Sequence, residues 1–295
     1  LLIRKDLRQA QAPLMHINEE LLQRFSAALP FKLTNAQRKA AWEIVQDLAK
    51  GAPMNRLLEG DVGSGKTVTA MFGIITAATN KYQTVWMAPT EILAHQHFKT
   101  ARESLKGFDV SVGIMTGAKK ENREADLMIG THALLSKGVT FPRLGFLIVD
   151  EQHRFGVKQR AQLREGHDLV PHLLSMTATP IPRTLALALY GDLDLSILDE
   201  MPAERKPIET KIVPPAGREK AYQFIREQIQ AGRQAFVITP LIEPKKETSF
   251  EEMERKSDID EYEKLTKQVF QDLKIGLLHG KLKSRDKEAV MERFA

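Results

Sequence analysis

The sequence has 295 residues, 42% of them hydrophobic and 27% charged, which are proportions of a folded globular chain and exclude disordered, collagen-like and coiled-coil compositions. It contains no cysteine, which removes disulfide scaffolds, thiolate metal sites and cysteine nucleophiles together. The formal net charge of +5 is compatible with a polyanionic partner without identifying one, and no apolar run approaches the roughly 18 residues that cross a bilayer.

In chain order, the segment LLIRKDLRQAQAPLMHI has no clean period, contains Pro13 and reads as a connector. Asn18 caps an expected helix in which Glu19 and Glu20 suit the positive N-terminal dipole and Ile17, Leu21, Leu22, Phe25 and Leu29 form an apolar stripe, until Pro30 ends it. Thr34 followed by Gln37 is a capping box for a second helix, with Gly51 expected at its C′ position. From there the short apolar runs RLLEG, TVWMA, VSVGIM, DLMIG, FLIVD and LLSMT read as strands between amphipathic segments such as ILAHQHFKTARESL. This alternation predicts an α/β fold with a parallel sheet. The run Phe146-Leu147-Ile148-Val149 is apolar at successive positions, as a strand covered on both faces must be. A polar, proline-bearing stretch, DEMPAERKP, reads as a linker, after which the pattern restarts with IETKIV, a helix over residues 219–229, and the expected strands AFVITP and IGLLHG. The organisation expected is a connector over 1–30, a first domain over 31–200, a linker over 201–214 and the N-terminal part of a second domain over 215–295.

Gly60-Asp61-Val62-Gly63-Ser64-Gly65-Lys66-Thr67 follows the strand RLLE and opens a helix, the context that a phosphate-binding P-loop requires. Its glycines let backbone N–H groups turn toward phosphates, Lys66 reaches the β/γ-phosphates and the Thr67 hydroxyl binds Mg²⁺. Such a site needs a strand-end carboxylate for the metal, and FLIVD supplies Asp150, followed directly by Glu151, which is positioned to orient and deprotonate an attacking water. ATP and Mg²⁺ are the expected ligands, with Lys66, Asp150 and Glu151 as catalytic groups. A structural glycine turn and a strand-end acidic turn are the plainer alternatives. His95 and His97 stand two apart on an expected helix, point in different directions and so make no metal pair.

The blocks Gly60 to Thr67, Asp150-Glu151-Gln152-His153 and Thr177-Ala178-Thr179-Pro180 resemble motifs I, II and III of superfamily-two helicases and translocases, in that order. The strings LPFKLTNAQ, GDVGSGKT, APTEILAHQHF, GTHALL, DEQHRFGVKQR, TATPIPRTLAL and HGKLKSRDKEAVMERF narrow the resemblance to the RecG family of bacterial branched-DNA helicases, from about Ile17 to Ala295. The translocase module of the transcription-repair coupling factor shares HRFGV and TATPIPRT, but usually has a second glutamate where Gln152 stands here.

The resemblance implies two RecA-like P-loop domains, the second incomplete within this chain, and an ATP-driven motor that remodels forks and Holliday junctions. It makes Gln37 the adenine-reading glutamine, although the capping box accounts for it equally well. Pro89, Thr90, Glu91, Thr131 and His132 match motifs that grip a DNA phosphate backbone, so binding is independent of sequence. His153, Thr177 and Thr179 match residues that couple the γ-phosphate site to DNA. His279 and Lys281, beside Lys283 and Arg285, mark either DNA proximity or a solvated helix start, and Arg183 meets either phosphate or a surface ion pair. The implied partners are branched double-stranded DNA and single-stranded DNA-binding protein, for a monomer of the bacterial cytoplasm associated with the nucleoid and with no membrane contact.

Two departures stand out. The stretch TGAKKENREADLMIG is shorter than the family pattern, which carries an additional helix there, so residues are expected to be missing from it. Leu1 in place of methionine, and a chain that stops at Ala295 before the family's motifs V and VI, point to a fragment that lacks the arginine finger and the fork-splitting wedge. Such a finger is worth about 10³- to 10⁵-fold in rate, so this chain alone is expected to bind ATP and hydrolyse it poorly. A P-loop switch or small-molecule kinase is the alternative from another class, but no N-K-x-D guanine reader is present.

Overall fold

The structure is a computed structural model that describes residues 10–117, 119–122, 124–136, 138–151, 168–179, 193–201, 208–239, 258–279, 282 and 284–294. The chain divides into two compact units, Leu1–Arg205 and Lys206–Ala295.

Unit 1 begins with α1 (Glu19–Ala28) and α2 (Asn35–Leu48). The Asn18 side chain accepts from Leu21 N, and α2 opens on a complete capping box in which Thr34 Oγ1 accepts from Gln37 N and Gln37 Oε1 accepts from Thr34 N. These bonds satisfy first-turn N–H groups that a helix leaves open. Gly51 adopts φ +66, two residues beyond the Ala49 cap and so not at the expected C′ position. The Ala49 and Lys50 amides tighten the last turn by donating to Gln46 and Asp47 carbonyls, which displaces the left-handed residue outward.

An alternating series follows: β1 (Asn55–Gly60), α3 (Lys66–Thr79), β2 (Gln83–Met87), α4 (Glu91–Ser104), β3 (Val112–Met115), β4 (Lys120–Glu121), β5 (Leu127–Gly130), β6 (Leu144–Asp150), β7 (His172–Thr177) and β8 (Asp194–Leu198). The strands pair in the order β4-β3-β5-β2-β6-β7-β1-β8, parallel throughout except for the antiparallel β4 on β3. Six expected strands are present. Two further ones, β4 and β8, were not legible. β4 has two residues and lies inside the short stretch after Gly117, where Thr116 N donates to Lys119 O and turns the chain back on β3. β8 reads DLSIL, where alternating polar residues on a half-covered edge mask the apolar run that a central strand shows.

Alternation along the central strands sends side chains to two separate cores. Trp86, Phe146, Ile148 and Leu174 face the large cluster built with Phe25, Ile44, Met71 and Ile75 from α1, α2 and α3. Val85, Met87, Leu147, Val149 and Leu173 face the other, with Leu134 and Phe141. β6 is therefore buried along all seven residues, as its unbroken apolar run requires. Helix α3 is the most enclosed, every residue from Val68 to Ala78 being buried. A Cβ on Gly73 would lie 2.7 Å from the Phe146 ring, so glycine there sets how closely α3 approaches β6.

In unit 2, a 3₁₀ turn at Pro215–Gly217 leads into α5 (Arg218–Gln230), and α6 (Asp258–Lys264) runs into a π turn at Leu265–Val269, with α7 (Ser284–Phe294) following. Tyr222 packs edge-on against Phe270, and Arg226 donates to Val269 O at 2.9 Å and pairs with Asp272. The segments IETKIV, AFVITP and IGLLHG, expected as strands, have no ladder partner: among the described residues of unit 2 none is paired into a sheet. A strand exists through its ladder partners, and an apolar run without one stays open to solvent, as Ile212 at 96% and Ile238 at 90% exposure do.

Candidate functional site

Parallel pairing brings the carboxyl ends of the strands to one edge of the sheet, and every expected site residue of unit 1 that the structure describes, except Gln37, follows or ends a strand there. Glu59 pairs with Thr177, Asp150 with Met176, Met87 with both Val149 and Gly130, and Gly60 with Leu198. Read across this edge are the loop after Gly60, then Thr177, Asp150, the Pro89-Thr90 turn and Thr131. A crevice at the carboxyl ends of a doubly wound sheet is where such folds bind ligands.

The loop after β1 is tightly folded. Gly63 and Gly65 take φ of +81 and +92, the left-handed region where a side chain is strained. Glycine is also required at Gly60, where a Cβ would sit 2.5 Å from Ser64 Oγ, and at Gly65, where it would sit 2.3 Å from Gln37 Nε2. Helix α3 starts at Lys66 with no side chain capping it, which leaves the first-turn N–H groups and the positive end of the dipole for an anion. Ser64 Oγ is buried without a hydrogen-bond partner. Lys66 Nζ donates to Gly60 O at 2.6 Å and Asp61 O at 3.0 Å. Its burial pushes the lysine below its ordinary value of 10.5, opposed by the carboxylates of Asp150, Glu151 and Asp61. Those opposing fields connect the loop after β1 with the end of β6, and the half-buried Thr67 hydroxyl lies on the first turn of α3.

Gln37 is 1% exposed, and both ends of its carboxamide are engaged: Oε1 accepts from Thr34 N and Nε2 donates to Ser64 O at 2.7 Å. Capping box and P-loop are thus joined through one side chain.

Asp150 ends β6 and is buried. Glu151, half-buried, takes φ +52, a left-handed backbone that bends the chain at the strand end. His97, on α4, approaches Asp150 with Nε2 2.8 Å from Oδ2, and its ring stacks on Trp86 with centroids 4.6 Å apart. Sequence reasoning missed this pair. In the sequence His97 stands out only beside its helical neighbour His95, and no spacing rule joins residues 53 positions apart.

Thr90 caps α4 by accepting from Leu93 N, and its own side chain is exposed, while Pro89 and Glu91 are half-buried. Thr131 is largely buried at the start of a 3₁₀ turn, His132–Leu135, on which His132 is exposed. Buried Thr177 and exposed Thr179 share a hydroxyl–hydroxyl bond of 2.8 Å. His279 is half-buried in unit 2 and turns the chain, its carbonyl accepting from Leu282 N at 3.2 Å. Gln152, His153, Pro180, Arg183, Lys281 and Lys283 lie outside the described residues, and for Arg285 the helical backbone alone is described. Among the described residues no cluster of three or more His, Asp or Glu forms a metal site, and no helix is long and apolar enough to cross a membrane.

Residues 34–188 match the DEAD/DEAH box helicase family. The chain is 45% identical over 306 aligned positions to a protein named ATP-dependent DNA helicase RecG from Aquifex aeolicus, covering 100% of this chain and 38% of that one. It is 44% identical to the protein of the same name from Thermotoga maritima, with 99% and 38% covered, and 44% identical to that from Bacillus subtilis, with 94% and 41% covered. The chain thus spans about two fifths of the length of these relatives. Among solved structures, one described as RecG bound to a three-way DNA junction superposes with a TM-score of 0.78 at 41% identity, over 100% of this chain and 39% of that one. A structure of Mss116p bound to single-stranded RNA and AMP-PNP, 16% identical with a TM-score of 0.64 and covering 94% of this chain and 61% of that one, shares the fold. The matched region 34–188 holds the glycine-rich loop, the strand-end Asp150-Glu151 and the parallel sheet that presents them on one edge, and the chain belongs to the DEAD/DEAH box helicase family.

Proposed function

We propose that this chain is the ATP-driven motor portion of a RecG-type DNA helicase, which remodels branched DNA such as replication forks and Holliday junctions in recombination and repair. The observation that carries the reading is the electrostatic meeting of Lys66 with Asp150 and Glu151 at the carboxyl edge of the sheet, beside a helix N-terminus that no side chain caps. The relatives' name and the three-way junction in the similar solved structure support the choice of branched DNA.

In this reading, the uncapped amides of α3 and the Lys66 ammonium hold the β- and γ-phosphates of ATP, and Lys66 exchanges its carbonyl contacts for phosphate oxygens. Thr67 and Asp150 fit Mg²⁺, which is held in such sites by about one or two protein oxygens plus waters and phosphates, not by a full protein cage. When bound, the ion neutralises charge on the phosphates. Glu151, which follows Asp150 at the strand end on a backbone bent at φ +52, accepts a proton from the attacking water. Pro89, Thr90, Glu91, Thr131 and His132 contact the DNA backbone from the same edge, and Thr177 and Thr179 relay loss of the terminal phosphate. His153, His279 and Lys281 complete the coupling and DNA-contact set. Gln37 reads adenine with the second N–H of Nε2 and the second lone pair of Oε1, which its single bonds to Ser64 O and Thr34 N leave over.

Domain limits of 31–200 and 215–295, with a linker over 201–214, suit two RecA-like halves. The protein acts as a monomer at the nucleoid, with single-stranded DNA-binding protein as a further partner. The deciding experiment measures phosphate release and nucleotide binding with forked and linear DNA. This chain binds ATP but turns it over slowly, and the intact protein that contains it is stimulated by branched DNA more than by linear duplex. Equal stimulation by both, or turnover that survives Lys66→Ala, contradicts the assignment.

A further inference from the structure

Asp150 is reached by a side chain that neither strand pairing nor the P-loop provides. His97 Nε2 lies 2.8 Å from Asp150 Oδ2, and both side chains are 12% exposed. A carboxylate only accepts, so Nε2 carries the hydrogen and donates it. The ring is clamped in turn by Trp86, which stacks on it at an interplanar angle of 28° and is itself fully buried. Trp86 belongs to β2, the neighbour of β6, and its register partner on β6 is Ile148, two residues before Asp150. The imidazole is thereby fixed in plane and in depth by rigid strands, not by solvent contacts.

We infer that His97 is a positioning residue for Asp150: by holding Oδ2 it fixes the carboxylate rotamer and leaves Oδ1 to face the metal and its waters. This rests on the ATP-site reading above and extends it to a residue on α4. A ligand carboxylate that is free to rotate loses part of its orientation on binding, and loss of such a supporting hydrogen bond costs about 10- to 100-fold in metal affinity or activity. The same helix starts at the Thr90 cap, so the segment proposed to touch the DNA backbone also bears the group that orients Asp150.

The test uses a fluorescent ADP analogue titrated into the 295-residue chain over a Mg²⁺ series, in variants that separate the hydrogen bond from the stack. His97→Phe keeps a ring on Trp86 and removes the donor; His97→Gln removes the ring and keeps an N–H of similar reach; His97→Asn has that N–H one methylene short. His97→Phe and His97→Asn raise the Mg²⁺ concentration for half-saturation about 10- to 100-fold, while Mg²⁺-free ADP binding is unchanged and His97→Gln restores the Mg²⁺ dependence. Thermal melting of each variant without nucleotide reports whether the fold is intact. Should His97→Phe fail to fold, the Gln and Asn pair decides. An unshifted Mg²⁺ dependence in Phe and Asn, or an equal shift in Gln, overturns the inference and leaves the ATP site standing. Failure of the unaltered chain to bind the analogue with Mg²⁺ overturns the site reading itself, and this inference with it.

Discussion

Gln37 Nε2 donates to Ser64 O at 2.7 Å, which ties the first turn of α2 to the loop that faces the phosphates. The other end of the amide closes the capping box on Thr34. Gln37→Glu keeps the acceptor for Thr34 N but sets a carboxylate oxygen against Ser64 O at a residue 1% exposed, so it adds a buried charge to the loss of the loop bond. Loss of one buried hydrogen bond with an unsatisfied carbonyl left behind costs about 1–3 kcal/mol. Both variants therefore lower ADP affinity, and Gln37→Glu lowers the melting temperature at least as much as Gln37→Ala, which breaks the cap and the loop bond without burying a charge. Calorimetric titration and thermal melting of the two variants check this ordering.

Gly65 carries the matching constraint. Its φ of +92 and the 2.3 Å approach of Gln37 Nε2 to a notional Cβ leave no room for a methyl group. Gly65→Ala folds, because the strain is confined to one loop, but loses nucleotide binding. Pairing it with Gln37→Ala removes the clash and leaves the backbone strain, so the double variant loses less than the two single losses added together. Strict additivity in a double-mutant cycle on ADP binding would refute the link between the two residues.

Lys66 supplies a pH dependence. Burial holds its folded-state value below 10.5, so in the window between that lowered value and 10.5 the folded chain has released a proton that the unfolded chain retains. Unfolding then takes up a proton, and stability rises with pH across that window. Phosphates favour the charged lysine, so nucleotide affinity falls over the same range. Lys66→Met abolishes nucleotide binding at every pH, leaves the melting temperature of the nucleotide-free protein equal or higher, and flattens the alkaline rise in stability. Melting curves and ADP titrations of the two proteins between neutral pH and pH 10.5 measure the difference.

Arg56 anchors the opposite end of β1. Its guanidinium meets Asp47 of α2 at 2.7 Å and Glu43 at 3.3 Å, and donates to Ser196 Oγ of β8 at 2.8 Å. Arg56→Met leaves the buried Asp47 carboxylate with Lys50 alone, whose Nζ lies 2.6 Å from Oδ1, so the cost stays below the about 3–5 kcal/mol of a buried charge left wholly unpaired. Adding Asp47→Leu recovers most of that loss, since matched apolar replacements of buried pairs are often neutral. Urea unfolding of the single and double variants gives both numbers, and a single-variant cost under about 1 kcal/mol would show the network to be dispensable.

Local chemistry was readable along the chain wherever it depends on neighbours in sequence. The Asn18 and Thr34 caps, the glycine-rich loop opening α3, the unbroken apolar run of β6 and the Asp150-Glu151 strand end all stand where short-range rules put them, because capping, φ restriction and burial pattern act over a few residues. Even β8 failed only because a half-covered edge strand shows no such run. Contacts between distant segments belong to another class. The bond of Gln37 to Ser64, the grip of His97 on Asp150 and the ion pairs of Arg56 arise once parallel pairing has set strand order and register, and no periodicity encodes which helix will lie over which strand end. In unit 2 the same rule acts in reverse: apolar runs such as Ala235-Phe236-Val237-Ile238 have strand composition, yet a ladder needs a partner, and among the described residues none is paired.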